Sequence, residues 1–149
     1  MSATMLLRDI MTTAVVTVAP DATLAAIREI FDKARFHHVI VLDDDQVVGI
    51  VSDRDMFKSL SPFLRTAAEQ SRDRATLHRR VHQIMTRHVV TASPEADVRA
   101  AARLMVRHSI RALPILGADG ALEGIVSWKD IMRLIVEDDE PAANSASAA

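Results

Sequence analysis

Gly49-Ile50-Val51-Ser52-Asp53-Arg54-Asp55 returns later in the chain as Gly124-Ile125-Val126-Ser127-Trp128-Lys129-Asp130. In each copy an apolar pair runs into Ser, two variable residues follow, and then come Asp and an apolar residue, Met56 or Ile131. One copy of such a motif is a weak signal. Two copies make an internal repeat, and a repeat governs how the rest of the chain is read. Working outward, Ile84-Met85-Thr86 matches Ile10-Met11-Thr12, Val89-Val90-Thr91 matches Val15-Val16-Thr17, and Pro94 matches Pro20. The offset is 74 residues up to the hairpin, where the second copy gains one residue.

Each copy reads strand–helix–strand–strand–helix. In the first, residues 5–11 suggest a short helix or turn, and the β-branched run 15–18 predicts a strand stopped by Pro20. Asp21 is placed to cap a helix over 22–35, whose apolar residues Leu24, Ile27, Ile30, Phe31 and Ala34 share one face. Residues 38–42 form a buried-type strand, Asp43-Asp44-Asp45 the turn, and 46–51 the return strand. Ser52 then opens a helix to about Leu60. The second copy repeats this with a helix over 96–108, strands at 113–116 and 122–126 around the turn 117–120, and a last helix from Ser127 towards Val136. Ser61-Pro62 breaks the first copy's last helix, and the polar stretch 64–74 reads as a surface helix or ordered loop. The expected organisation is repeat 1 over 8–60, a linker over 61–80, repeat 2 over 81–136, and an acidic Ala/Ser tail over 137–149 whose composition predicts disorder. A unit of this size cannot bury its sheet face alone, which is why the repeat comes as a pair.

The bulk composition removes several function classes. The chain has 149 residues, 49% of them hydrophobic and 26% charged, which suits one ordinary domain or two small halves sharing a core. Aromatics make up only 3%, so Val, Ile, Leu, Ala and Met must build the interior. A net charge of −2 disfavours non-specific nucleic-acid binding, which needs a strong basic field. With no cysteine there is no disulfide, thiolate chemistry or cysteine zinc site. Neither a secretory h-region nor a membrane-length apolar run is present, and the expected location is cytoplasmic. Nothing resembles a nucleophile elbow, a P-loop or paired catalytic carboxylates, so no enzyme is expected.

The run I-M-T, V-V-T-V-x-P, amphipathic helix, L-P-I-L, turn and G-I-V-S-x-x-D resembles the CBS domain, named for cystathionine β-synthase. The two copies together resemble a tandem CBS pair, or Bateman module, over roughly residues 8–136. The linker is similar to that of stand-alone bacterial CBS-pair proteins of the acetoin-utilisation type. The resemblance implies an α/β (α+β) fold of two repeats packed sheet to sheet with pseudo-two-fold symmetry. It implies a regulatory module that binds an adenine nucleotide or other adenosyl compound in the cleft between the repeats. No cofactor is obligatory; AMP, ADP, ATP or S-adenosylmethionine are the ligands it suggests. It also implies a flat homodimer formed through the helices that follow each repeat, and a separate effector protein that receives the signal. A homodimeric scaffold without nucleotide is the alternative, and a nucleic-acid-associated factor using the Arg-rich linker a weaker one.

The residues themselves support two layers of reading. Ser52-x-x-Asp55 and Ser127-x-x-Asp130 are first capping boxes, with Ser at the N-cap and the acid three residues on. A helix N-terminus also has free N–H groups that suit phosphate, and a carboxylate there can accept from ribose hydroxyls. The resemblance assigns the ribose to Asp55 and Asp130, and the phosphates to their neighbours Arg54 and Lys129. His37 and His38, matched by Arg111 and Ala112, precede the central strand where the family places basic residues on phosphates. Arg111 carries a permanent charge and a bidentate fork; His38 reads equally as a packed strand residue. Thr12, Thr13 and Val15, with Thr86, Arg87 and Val89, stand where the family supplies backbone and apolar contacts to the base. Arg87 in place of Thr13 makes the two pockets inequivalent. His78-x-x-x-His82 has metal-pair spacing but no third ligand. Trp128 reads as half-buried core or as an anchor at a dimer interface.

Overall fold

The protein is described from a computed structural model covering residues 4–139. Its elements are α1 (Leu7–Ile10), β1 (Thr17–Val18), α2 (Leu24–Lys33), β2 (His38–Asp43), β3 (Gln46–Ser52), α3 (Asp53–Ser59), α4 (Ser71–Ala75), α5 (Val98–His108), β4 (Ala112–Leu116), β5 (Leu122–Ser127) and α6 (Trp128–Asp139). Two 3-10 turns, Thr76–His78 and Val81–Gln83, fall between α4 and α5. This is the mixed α/β architecture that the repeat predicts.

The first sheet has the order β1-β2-β3, with β1 parallel and β3 antiparallel to β2. Its hairpin turns on Asp44 and Asp45, both at positive φ (48° and 63°), a two-residue loop whose backbone suits the strands' twist. Asp tolerates this conformation because its short side chain can bond locally. A bulge follows, since Val41 faces Gly49 while Leu42 faces Val47. The second sheet is the hairpin β4-β5. Ala112, Leu113, Pro114 and Ile115 are all buried, as befits a strand covered on both faces.

Several boundaries differ from the sequence expectation. Thr23, not Asp21, caps α2: it is extended, and its Oγ1 accepts from the Ala26 amide at 3.2 Å. The first strand contracts to Thr17–Val18, leaving Val15 outside it. In the second copy no strand forms over 89–91, and a single parallel bridge joins Ala92 to Ile115. Pro114 accepts from the Ala92 amide but, lacking an N–H, cannot extend that ladder. Only Ser71–Ala75 of the polar linker is α-helical. α6 continues through Asp139, three residues into the stretch read as tail, and residues 140–149 lie outside the described ones.

The chain folds as two compact units that do not follow the repeats at their leading ends. One holds Ala14–Val90 and Gly120–Leu122; the other holds the residues up to Thr13, Thr91–Asp119 and those from Glu123 on. The short segment that leads each copy is thus exchanged. In the first unit, the amides of Val81 and His82 donate to the carbonyls of Ala22 and Pro20, Leu24 donates to Arg79, and Thr86 and Ile50 bond reciprocally. In the second, Leu7 and Arg8 donate to Ala96 and Pro94, Val98 donates to Met5, and Thr12 and Ile125 bond reciprocally. These are the same bonds at the repeat offset.

The packing is exchanged in the same way. Val81 and Met85 join Leu24, Ile27, Val39, Val41, Val51 and Met56 in one core. Leu7 is fully buried in the other unit, which also buries Val98, Met105, Leu113, Ile115 and Val126.

Candidate functional site

Both Ser-x-x-Asp motifs sit where a strand passes directly into a helix. At α3, Ser52 Oγ accepts from the Asp55 amide (3.0 Å) and Asp55 Oδ2 accepts from the Ser52 amide (3.1 Å), a complete capping box. At α6 the Ser127 amide donates to Asp130 Oδ2 (2.7 Å), while Ser127 Oγ receives the Asp130 amide at 3.4 Å. The Asp53 amide donates to the His37 carbonyl, and the matching Trp128 amide to that of Arg111 (2.9 Å each). This narrows the expectation of free amides at these helix starts. The N-cap, first and third amides are already taken, which leaves the second amide and the side chains for contacts to an anion.

The side chains remain suitable for that. Arg54, Arg87, Arg111 and Lys129 are exposed, while Ser52, Asp55, Ser127 and Asp130 are half-buried. Asp130 Oδ1 stands 3.9 Å from Arg133. His37 Nδ1 lies 2.7 Å from Asp53 Oδ2, leaving Nε2 as its outward nitrogen. Asp53 is the partner that sequence reasoning missed. Its signal was available, because an acid one residue after the N-cap stands beside the strand start that carries His37. Arg87 Nη2 donates to the His82 carbonyl at 2.9 Å, which orients the guanidinium.

The exchange of leading segments decides which predicted residues meet. The β2–β3 ladder pairs His38 with Ser52, and the bridge between Ile50 and Thr86 places Thr86 two residues along β3 from Ser52. His37, His38, Ser52, Arg54, Asp55, Thr86 and Arg87 therefore belong to one unit, as do Val15 and Val89. The bridge between Thr12 and Ile125 does the same for the other set: Thr12, Thr13, Arg111, Ala112, Ser127, Lys129 and Asp130. Thr86 and Arg87, although they lead the second copy, stand with the first copy's Ser-x-x-Asp. Ala112 is buried, unlike the exposed Arg111 beside it. His78 and His82 gather no third ligand among the described residues.

A protein-family model for the CBS domain matches residues 7–62 and again 81–137. The chain belongs to the CBS domain family. It is 31% identical to a CBS domain-containing protein of Dictyostelium discoideum, covering 91% of this chain and 94% of that one. It is also 35% identical to a homoserine O-acetyltransferase of Methanococcoides burtonii over 85% of this chain, but spans only 23% of that enzyme. Among solved structures, the CBS domain pair of protein MJ0100, in complex with 5′-methylthioadenosine and S-adenosyl-L-methionine, superposes with a TM-score of 0.77 at 24% identity, covering 92% of this chain and 100% of that one. CBSX2 in complex with AMP superposes with a TM-score of 0.73 at 25% identity, covering 91% and 98%. No helix among the described residues is long and apolar enough to cross a membrane.

Proposed function

We propose that this CBS pair is a regulatory module that binds an adenine nucleotide or another adenosyl compound and passes its occupancy to a partner protein. The observation that carries this reading is the doubled Ser-x-x-Asp junction. Each has a base immediately before the Asp and a second basic residue before the neighbouring strand, and the AMP-bound relative shares the fold. Asp55 and Asp130 spend Oδ2 on their own cap, and Oδ1 is the oxygen offered to ribose hydroxyls. Arg54 with His37 and His38, and Lys129 with Arg111, are the phosphate partners. Val15 and Val89, with the backbone of Thr12, Thr13, Thr86 and Arg87, are the contacts for the base. A ligand passes on a signal only through different affinity for two arrangements of the protein, so occupancy must be read by the partner as such a difference.

The test is a thermal-shift panel with AMP, ADP, ATP, S-adenosylmethionine and NAD. Ligand at about a hundred times its Kd stabilises by roughly 2.7 kcal/mol. Asp55→Ala and Asp130→Ala are each expected to abolish the shift at one site. Ser52→Ala, which damages the same cap but leaves the carboxylate, should lower Tm and keep the shift. Ligand affinity that survives both Asp variants removes this site, and no shift with any ligand at millimolar concentration removes the sensing function.

A second reading, a homodimeric scaffold, is favoured by exposed apolar residues on the helices that follow each repeat. On α6, Trp128, Met132, Ile135 and Val136 are 46–58% exposed, and on α3 Phe57 is 60% exposed. Side chains of this kind at helical spacing are the sort that a second copy covers.

A further inference from the structure

The internal repeat acts as its own control, because whatever the fold needs should appear in both copies. Two features appear in only one, and they carry opposite charge. On α5, Arg99, Arg103 and Arg107 recur every fourth residue, about 6 Å apart along the axis. All three are exposed and lie opposite the buried Val98, Ala101 and Met105. α5 contains no acidic residue, and none of the three arginines has an ion pair among the described residues. The matching positions on α2 are Ala25, Glu29 and Lys33, which sum to zero. Like charges four apart repel one another on a helix, so this stripe works against the stability of α5.

The opposite departure is the β2–β3 turn. Asp43, Asp44 and Asp45 are consecutive and exposed, and none makes an ion pair among the described residues. The positive φ values would be served as well by uncharged Asn or Gly. The second copy's turn, Gly117-Ala118-Asp119-Gly120, holds one acid. A tight turn between paired strands fixes the backbone beneath its three carboxylates, so little main-chain freedom is left to lose.

We propose that the Asp43–Asp45 turn of one copy of this chain docks on the Arg99/Arg103/Arg107 face of a second copy. The partner's turn docks reciprocally, giving two such contacts in a two-fold dimer. Three carboxylates meet three guanidiniums, and Arg suits this contact better than Lys because its planar fork takes a carboxylate through two parallel bonds. The proposal rests on the homodimer reading above only in taking a second copy as occupant; the ligand reading is independent of it.

Sedimentation velocity on the full chain tests it, with Arg99→Gln/Arg103→Gln/Arg107→Gln and Asp43→Asn/Asp44→Asn/Asp45→Asn as the two variants and circular dichroism as the folding control. Each variant alone should weaken dimerisation by about tenfold or more, the scale of several exposed ion pairs lost together. Mixing the two should restore tighter association than either alone, because the mixed dimer keeps one intact turn-on-helix contact. The wild-type dimer should also weaken at about 1 M salt, where screening reaches only about 3 Å.

A mixture no tighter than its components overturns the proposal. So does an Arg variant that weakens association while the Asp variant does not. A wild-type dimer indifferent to salt and to both variants removes this contact and leaves the homodimer reading standing, whereas a monomer at every concentration removes both. Binding of a dT oligonucleotide to the Arg face at physiological salt, with dimerisation untouched by the Asp variant, would assign the face to nucleic acid instead.

Discussion

Gly49 and Gly124 open the two motif copies, and each is needed because another chain segment approaches closely. A Cβ built on Gly49 would run into Met85 Sδ and lie 2.8 Å from Met85 Cγ, and one on Gly124 would meet Met11 Sδ at 2.7 Å and the Thr12 carbonyl oxygen at 2.9 Å. The methionine ends can swing aside, but the Thr12 carbonyl is fixed by its bond from the Ile125 amide. Gly124→Ala is therefore expected to cost more than Gly49→Ala, within the roughly 1–3 kcal/mol typical of overpacking. Urea denaturation of the two variants checks the order; equal losses would mean that the backbone yields as easily as a thioether. The Gly-Ile-Val-Ser spelling was legible as a repeat marker, while the reason for its glycine was not. That reason lies with a residue 36 positions after Gly49 in one case and with residues over a hundred positions before Gly124 in the other, contacts that no local pattern encodes.

At the scale of an element, one carboxylate organises the linker. Asp73 is buried; its Oδ1 accepts from Ser61 Oγ and its Oδ2 from the Gln70 amide, both at 2.7 Å. The Thr76 hydroxyl donates to the Asp73 carbonyl and accepts from the Ser61 amide. The Ser61 bond and then the Gln70 amide hold the Asp73 carboxyl below its ordinary value, with help from Arg72 and Arg74 and against the effect of burial. A lowered folded pKa contributes stability that is full above the unfolded value, about 3.9, and is lost as pH falls through the folded one. Wild-type linker protection in hydrogen exchange should thus hold at neutral pH and fall in acid below the usual carboxylate range. Asp73→Asn should be weaker at neutral pH and much less pH-dependent; a variant with the wild-type pH profile would place the acid sensitivity elsewhere. The helices and hairpins were readable because amphipathic period and turn residues are local signals. The linker was readable as a surface helix or ordered loop, but what holds it was not, because that is a polar network joining Ser61 to residues 70–76.

For the whole molecule, the exchange of leading segments means that damage at the N-terminus should appear in the second copy. Leu7 is fully buried inside the unit that also holds α5, β4 and β5 from Glu123 on. Leu7→Ala is expected to cost about 2–5 kcal/mol. Hydrogen exchange should report that loss in residues 98–119 and 123–127 while protection in 38–52 is retained. A uniform loss across both regions would show that the units unfold as one. The repeat in the sequence disclosed the fold class, but a repeat cannot state which copy its leading segment joins. Either assignment satisfies the same pattern of apolar residues and the same bonds at the repeat offset.

That exchange also constrains how the chain is made. Residues 5–12 are made before their partners, which run from Pro94 to Ile125, so an early segment waits for a much later one. At about 5–20 residues per second the delay is roughly 5–20 seconds. The unit around β2 and β3 needs nothing beyond Val90 apart from Gly120–Leu122, so it can assemble on a nascent chain while Leu7 is still unburied. During that interval the unit around β2 and β3 is expected to trail an apolar leader without its partners, and the long loop between residues 12 and 94 closes late rather than early.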